Sequence, residues 1–292
     1  MHYLILPVHR NFKDCQNFIR TTSKKFAKEK ITFVVVNTNS KKLKLGREDF
    51  ITHEKHGIEI VDGKSDWYWY ACVIKGLKKI ESKILKDDVI ILINVDVEIT
   101  SKYFEEARKI LNFDDHKIIG SQIRNLISGA LVDSGPKLIN DFQIENIEIE
   151  NINYLDSSKI EYKVDAISGR GMIFSAKYVK YILKFRNLFI PHYYSDYYLS
   201  IMLEAVGGKL VMSKKVFLYS QEDFGNKNVD YSPINLLFSK RNPQRFISNI
   251  LFYSKLKNLK TESRSFSKSL KFWIGFSNYI YSKIIEKYFR KN

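Results

Sequence analysis

Residues 89–93 read Val-Ile-Ile-Leu-Ile, an uninterrupted aliphatic run that ends abruptly in Asn94-Val95-Asp96. Five consecutive aliphatic side chains leave no polar face, so they suit a strand covered on both sides, as in the central sheet of an α/β protein. The amide and the carboxylate then stand where that strand emerges at its carboxyl end, the edge at which open α/β sheets bind ligands. A hard cation bridging Asp96 to a diphosphate is chemistry open to this position, and a solvated aspartate in a loop is the plain alternative.

The segments around this run alternate in the manner such a sheet requires. A short buried strand is expected over 3–8, closed by Pro7, then a helix over 13–28 with Cys15, Ile19 and Phe26 turned inward, then a second central strand over 31–36. Strand, helix, strand in this order implies a parallel crossover, which sets the strand ends near His9 and Asn37 side by side. A third strand is expected over 58–61, a helix from Cys72 to Lys83, and a helix over 101–112 capped by Thr100 or Ser101. Residues 118–165 read mainly as strands, with a hairpin around Asp133-Ser134-Gly135-Pro136 and an alternating stretch over 144–149. The glycines of Ser168-Gly169-Arg170-Gly171 allow a tight turn or close approach to a ligand before another strand. Helices over 176–184 and 196–206 and short strands over 209–212 and 216–219 complete a unit of about 225 residues.

Beyond residue 225 the character changes. Residues 225–292 hold ten Lys and four Arg against two Glu and one Asp, +11 of the chain's net +16, among abundant aromatic side chains. Helix-compatible stretches over 234–239, 246–259 and 270–289 can pack back on the domain, lie at an anionic bilayer or form a subunit contact. No run of eighteen apolar residues is present to span a membrane. Two cysteines without metal spacing, Cys15 and Cys72, point to buried thiols in a reducing compartment, and the first residues read as a strand rather than a leader. The expected location is the cytoplasm, with association at the inner face of the cell membrane left open. The positive segment permits phosphate contacts, but no zinc-finger or RNA-binding strand signature accompanies it, so nucleic acid is not an expected partner.

Four stretches carry a resemblance to family 2 glycosyltransferases of the GT-A fold, most closely to the bacterial rhamnosyltransferase-like branch, over roughly residues 3–225. They are Leu6-Pro7-Val8-His9, the run Val34 to Ser40, Gly63-Lys64-Ser65-Asp66-Trp67-Tyr68-Trp69, and Leu92-Ile93-Asn94-Val95-Asp96-Val97. Pro191-His192-Tyr193-Tyr194-Ser195-Asp196 resembles the branch's His-containing approach to its catalytic acid, and Ser168-Gly169-Arg170-Gly171 its small-residue turn. The resemblance implies a Rossmann-like, mostly parallel sheet with helices on both faces, and the helix-compatible stretches read as a helical extension over 226–292.

It also implies a site. Pro7, Val8, His9, Asn37, Lys64, Trp67, Asn94, Asp96, Gly169 and Arg170 fall at positions that hold the nucleoside-diphosphate sugar, and Asp96 at the position that binds Mg2+ or Mn2+. Asn37 stands where the family commonly has a base-reading aspartate, Asn94 where many relatives have a first acid, and Ser195 where many have a glutamate. Arg170 replaces a small residue, which leaves it to meet phosphate, an anionic acceptor or an outward ion pair. Asp196 matches the general base, with an ordinary carboxylate pKa keeping it ionised, and His192 is placed to orient it, meet the acceptor or approach the metal. The implied reaction is inverting sugar transfer, of rhamnose or a hexose, to a polysaccharide or lipid-linked glycan. Implied partners are the nucleotide sugar and the acceptor, and the basic, aromatic stretch beyond residue 225 leaves an anionic membrane surface or a second copy of the chain open. A carbohydrate-binding or scaffold protein on a degenerate transferase fold is the alternative that the substitutions leave open.

Overall fold

The structure is a computed structural model that describes residues 1–9, 11–39, 44–140, 143–146, 160–185 and 194–221. His192 and the expected extension over 226–292 lie outside the described residues.

The first half of the chain builds parallel strands. β1 (His2–Val8), β2 (Ile31–Asn37), β3 (Gly57–Asp62) and β4 (Val89–Leu92) pair parallel in the order β4-β1-β2-β3. Helix α1 (Phe12–Lys25) connects β1 to β2, and α2 (Trp69–Ile80) leads from β3 back to β4. Alternate residues of each strand enter two separate cores. Leu4, Leu6, Val35 and Ile91 pack with Cys15, Phe18 and Ile19 of α1 on one face. Tyr3, Ile5, Val34, Ile90 and Leu92 pack with Val73, Leu77 and Ile80 of α2 on the other. This two-sided burial is why the 89–93 run is aliphatic at every position.

The second half extends the sheet from β4. After the three-residue β5 (Val97–Ile99) and α3 (Tyr103–Phe113) come β6 (Lys117–Asn125), β7 (Leu131–Asp133), β8 (Pro136–Asn140), β9 (Gln143–Asn146), β10 (Glu161–Lys163) and β11 (Met172–Ser175). The short helices α4 (Val179–Ile182) and α5 (Ser195–Ala205) precede β12 (Lys209–Ser220). The sheet order is β10-β12-β6-β11-β4-β1-β2-β3, with β5 added on β12 and β7 on β6, ten strands among the described residues. β11 runs antiparallel to both β4 and β6, and β12 runs parallel to β6. Helices cover both faces, so the expected α/β class with a mostly parallel sheet holds.

Three local expectations change. Asp133 to Pro136 does not turn a hairpin back on itself: β7 pairs with β6 of the main sheet, whereas β8 pairs with β9 in a separate two-stranded sheet. Residues 209–212 and 216–219 belong to one strand, β12, whose register shifts between Ser213 and Phe217. Neither Thr100 nor Ser101 caps α3. Lys102 holds that position without a side-chain cap, and Thr100 Oγ1 donates instead to the Phe217 carbonyl at 2.9 Å. Both cysteines are buried and free, and burial pushes each thiol up to about 12. Among the described residues no helix is long and apolar enough to cross a membrane.

Candidate functional site

The carboxyl ends of β1, β2 and β4 open into a cleft of about 370 Å³ lined by Pro7, Val8, His9, Thr38, the aromatic run from Trp67 to Trp69, Asn94, Val95 and Asp96. The cleft exists because β4 ends at Leu92 while β1 and β2 run to Val8 and Asn37. At its floor the His9 Nδ1 and Thr38 Oγ1 atoms lie 2.8 Å apart, and Thr38 Oγ1 donates to the Val8 carbonyl at 3.1 Å. Trp67 and Trp69 are half-buried, with the Lys75 ammonium 5.6 Å from the Trp67 ring centre. A larger hollow of about 450 Å³ lies at the opposite edge of the sheet, around Lys86, Lys177 and Lys180, and gathers none of the expected site residues.

The topology of β11 brings a turn beside the cleft. Because this strand is antiparallel to β4, with Met172 opposite Leu92, the turn Gly169-Arg170-Gly171 is delivered to the edge where β4 ends. The Gly171 amide donates to the Leu92 carbonyl at 2.8 Å, which fixes the turn against the strand. Gly171 has φ +91°, and a Cβ there would fall 2.5 Å from Ser121 Oγ, so glycine is required. Arg170 Nη2 lies 3.2 Å from Asp96 Oδ2, with the arginine side chain 19% and the aspartate 30% exposed.

Helix α5 brings in a second carboxylate. Tyr194, at φ +62°, turns the chain into the helix in a left-handed conformation uncommon for a non-glycine residue, and Ser195 behind it is fully buried. Asp196 in the first turn accepts the Tyr197 amide on Oδ1 at 3.0 Å and the Gly169 amide on Oδ2 at 2.8 Å. Burial raises its carboxyl above the ordinary range, against those amide bonds and the Arg170 charge, which pull it down. The ordinary pKa expected from sequence is thus replaced by an elevated one.

Asp133, at the end of β7, is a fourth member that sequence reasoning passed over. Its Oδ1 accepts the Gly135 amide at 2.9 Å. Burial raises its pKa, with Asp196 adding to the rise and Arg170 opposing it. Arg170 is therefore the cation that acts on Asp96, Asp133 and Asp196 alike. The signal in the sequence was an acid placed before a Ser-Gly-Pro turn, which turn chemistry alone already explains.

The remaining expected residues are placed as follows. Asn37 is buried beneath the cleft, where its Oδ1 accepts the Asn39 amide at 2.9 Å, and its neighbour Thr38 reaches the surface of the cleft instead. Lys64 is exposed, away from the lining. Gly169 lies under the Trp69 indole, where a Cβ would sit 2.3 Å from Cζ2.

Among the described residues no group of three or more His, Cys, Asp or Glu side chains converges as a metal cage. The donor set at Asp96 nevertheless fits one divalent cation. Its Oδ1 is buried without a hydrogen-bond partner, and a Mg2+ or Mn2+ ion held there can take its other oxygens from phosphate and water.

No protein-family model matches the chain, and no curated protein matches it in sequence. Solved structures do. The crystal structure of GalNAc-T7 with UDP, GalNAc and Mn2+ aligns at a TM-score of 0.58 with 12% identity, over 88% of this chain and 48% of that one. The chain has the GT-A glycosyltransferase fold. It spans about half the length of GalNAc-T7. S. aureus TarS 1-349 aligns at a TM-score of 0.45 with 12% identity, over 75% of this chain and 60% of that one. In the GT-A sheet of this chain, Asp96 follows β4, the Arg170 turn precedes β11, and Asp196 opens α5.

Proposed function

We propose that the chain is a glycosyltransferase that moves a sugar from a nucleoside diphosphate to a glycan, inverting the anomeric centre. The observation that carries this reading is the Gly169-Arg170 dipeptide, whose amide holds Asp196 and whose guanidinium holds Asp96. Two carboxylates at the sheet edge, each held by one of two consecutive residues, form an arrangement suited to single displacement. The fold adds weight, since the GT-A neighbour at TM-score 0.58 carries UDP, GalNAc and Mn2+ in its crystal structure.

In this reading the half-buried rings of Trp67 and Trp69 wall the donor site, the His9–Thr38 pair lies at the nucleotide end, and Arg170 meets the diphosphate. Asp196 takes the proton of the acceptor hydroxyl as its oxygen attacks the anomeric carbon. The bond between that carbon and the diphosphate oxygen breaks, and the departing negative charge develops beside Arg170. A divalent cation on Asp96 Oδ1 supplies Lewis-acid neutralisation of the diphosphate when bound. An elevated Asp196 pKa suits a base that must also keep the proton until product leaves.

The finer assignments follow the sequence resemblance: residues 1–225 as catalytic domain, a deoxyhexose such as rhamnose or a hexose as the transferred sugar, and a polysaccharide or lipid-linked acceptor. The basic, aromatic stretch over 226–292 supports work at the inner membrane face on such an acceptor, or contact with a second copy. Sugar transfer is tested by a panel of UDP- and dTDP-sugars with a lipid-linked acceptor pool, with and without Mn2+. Product from one donor, lost in Asp196→Asn, is expected. Donor binding without transfer to any acceptor would instead favour a carbohydrate-binding scaffold.

A further inference from the structure

We propose that Arg170, anchored on Asp96, is a built-in cation for the donor diphosphate, so that nucleotide binding survives removal of divalent metal. The inference rests on the glycosyltransferase reading and goes beyond it by dividing the charge at the diphosphate between a metal and the chain itself.

The backbone around Arg170 is held from both sides. Gly169 donates its amide to Asp196 at 2.8 Å and Gly171 donates its amide to Leu92 at 2.8 Å, so the side chain leaves a fixed point at the sheet edge. Its guanidinium is mostly buried and is aimed by Asp96 Oδ2 at 3.2 Å. Much of the entropy that a long surface cation loses on meeting phosphate is thereby already lost in the folded chain. A guanidinium is a planar fork with five N–H donors, a geometry that can hold a carboxylate on one edge and phosphate on another.

Charge points the same way. The metal position offers one carboxylate, because Asn94 is neutral, and one oxygen of that carboxylate already faces Arg170. A divalent ion on Oδ1 therefore meets a like charge across the same carboxylate, which weakens its hold when no nucleotide is present. An incoming diphosphate meets an Asp96 whose charge Arg170 already offsets, so no metal is needed to screen that one carboxylate.

The test is a calorimetric titration of the full chain with UDP, dTDP and GDP, each in Mn2+ and in EDTA, on the wild type, Arg170→Gln and Arg170→Lys. A parallel Mn2+ titration is run without nucleotide, and melting temperatures verify that each variant is folded. Wild-type affinity for the preferred nucleotide is expected to fall less than about 10-fold in EDTA, whereas Arg170→Gln loses about 10- to 100-fold there and recovers part of it in Mn2+. Arg170→Lys retains an intermediate affinity in EDTA, and Arg170→Gln binds Mn2+ alone more tightly than the wild type does. Nucleotide binding that vanishes from the wild type in EDTA overturns the inference and leaves the glycosyltransferase reading standing, an arm that needs no variant to fold. Equal affinity of wild type and Arg170→Gln in EDTA overturns it as well. Failure of all three nucleotides to bind under either condition removes both readings together.

Discussion

The Gly169 amide donates to Asp196 Oδ2 over 2.8 Å, so the residue that steadies the carboxylate of α5 is the chain neighbour of the one that pairs with Asp96. A shift of this turn is therefore felt at both carboxylates. The antiparallel placement of β11 beside β4 makes the arrangement, since it returns the chain to the sheet edge just where the aliphatic run ends.

Asp196→Asn is expected to lower turnover by about 10²- to 10⁴-fold while nucleotide binding stays intact, the range for loss of a positioned general base. The wild-type pH profile carries a further signature. The base acts only when ionised and burial raises its pKa, so activity is expected to climb through a limb lying above the ordinary carboxylate value of about 4. Steady-state rates over a pH series, paired with nucleotide titration, measure both. Unchanged turnover in the variant excludes Asp196 as the base.

Asp133→Asn removes a carboxyl whose ionisation is opposed first by burial and then by the Asp196 charge, while the amide oxygen that replaces it still accepts from Gly135. The same substitution bears on stability. The folded-state pKa of Asp133 is raised, so its contribution to stability is present below the unfolded value of about 4 and is lost as pH rises through the folded one. Asp133→Asn is therefore expected to be more stable than the wild type at pH 8, with the difference closing toward pH 4 in urea denaturation. Equal stability of the two proteins at pH 8 would show that ionised Asp133 does not destabilise the fold.

Gly169→Ala is expected to damage folding and function together. Its Cβ would lie 2.3 Å from Trp69 Cζ2, and overpacking of this kind costs about 1–3 kcal/mol. Because the indole also walls the cleft, its displacement is expected to raise KM for the donor. Adding Trp69→Phe frees the space, so the double variant should regain stability relative to Gly169→Ala without regaining donor affinity. A double-mutant cycle of melting temperature and KM reads the coupling.

Sequence patterning located the strands that place the site and was weaker where tertiary pairing decides. β1, β2 and β4 were legible because burial on both faces demands aliphatic runs, and Asp96 because such a run stops at it. β5 was missed, since Val97-Glu98-Ile99 is three residues long and exists by pairing with β12. Glu98 projects outward from that strand and pairs with Lys25 at 3.2 Å. The bend in β12 hid one strand as two, because Lys214 and Lys215 interrupt its alternation at the register shift. Asn37 matched a donor-site pattern, and its side chain also closes a local turn onto Asn39, an interaction that spacing along the chain does not announce.

His2 supplies a stability switch at the far end of β1. Its imidazole is fully buried against the Phe104 ring, and burial, then the charges of Arg108 and the N-terminus, lower its pKa to about 3. Glu29 Oε2, 3.8 Å from Nδ1, faces it with the opposite charge but at a distance beyond a hydrogen bond. Between the unfolded value of about 6.5 and the folded value, the unfolded chain binds a proton that the folded chain refuses, so stability falls as pH falls. At pH 4.5 the deficit attributable to this one residue is roughly 2–3 kcal/mol, and it is absent at pH 7.5. His2→Phe keeps an aromatic ring against Phe104 and removes the titration. In urea denaturation at the two pH values, the variant is expected to lose less stability on acidification than the wild type by about that amount. An equal loss in both proteins would mean that the imidazole is protonated within the fold, with Glu29 as its partner.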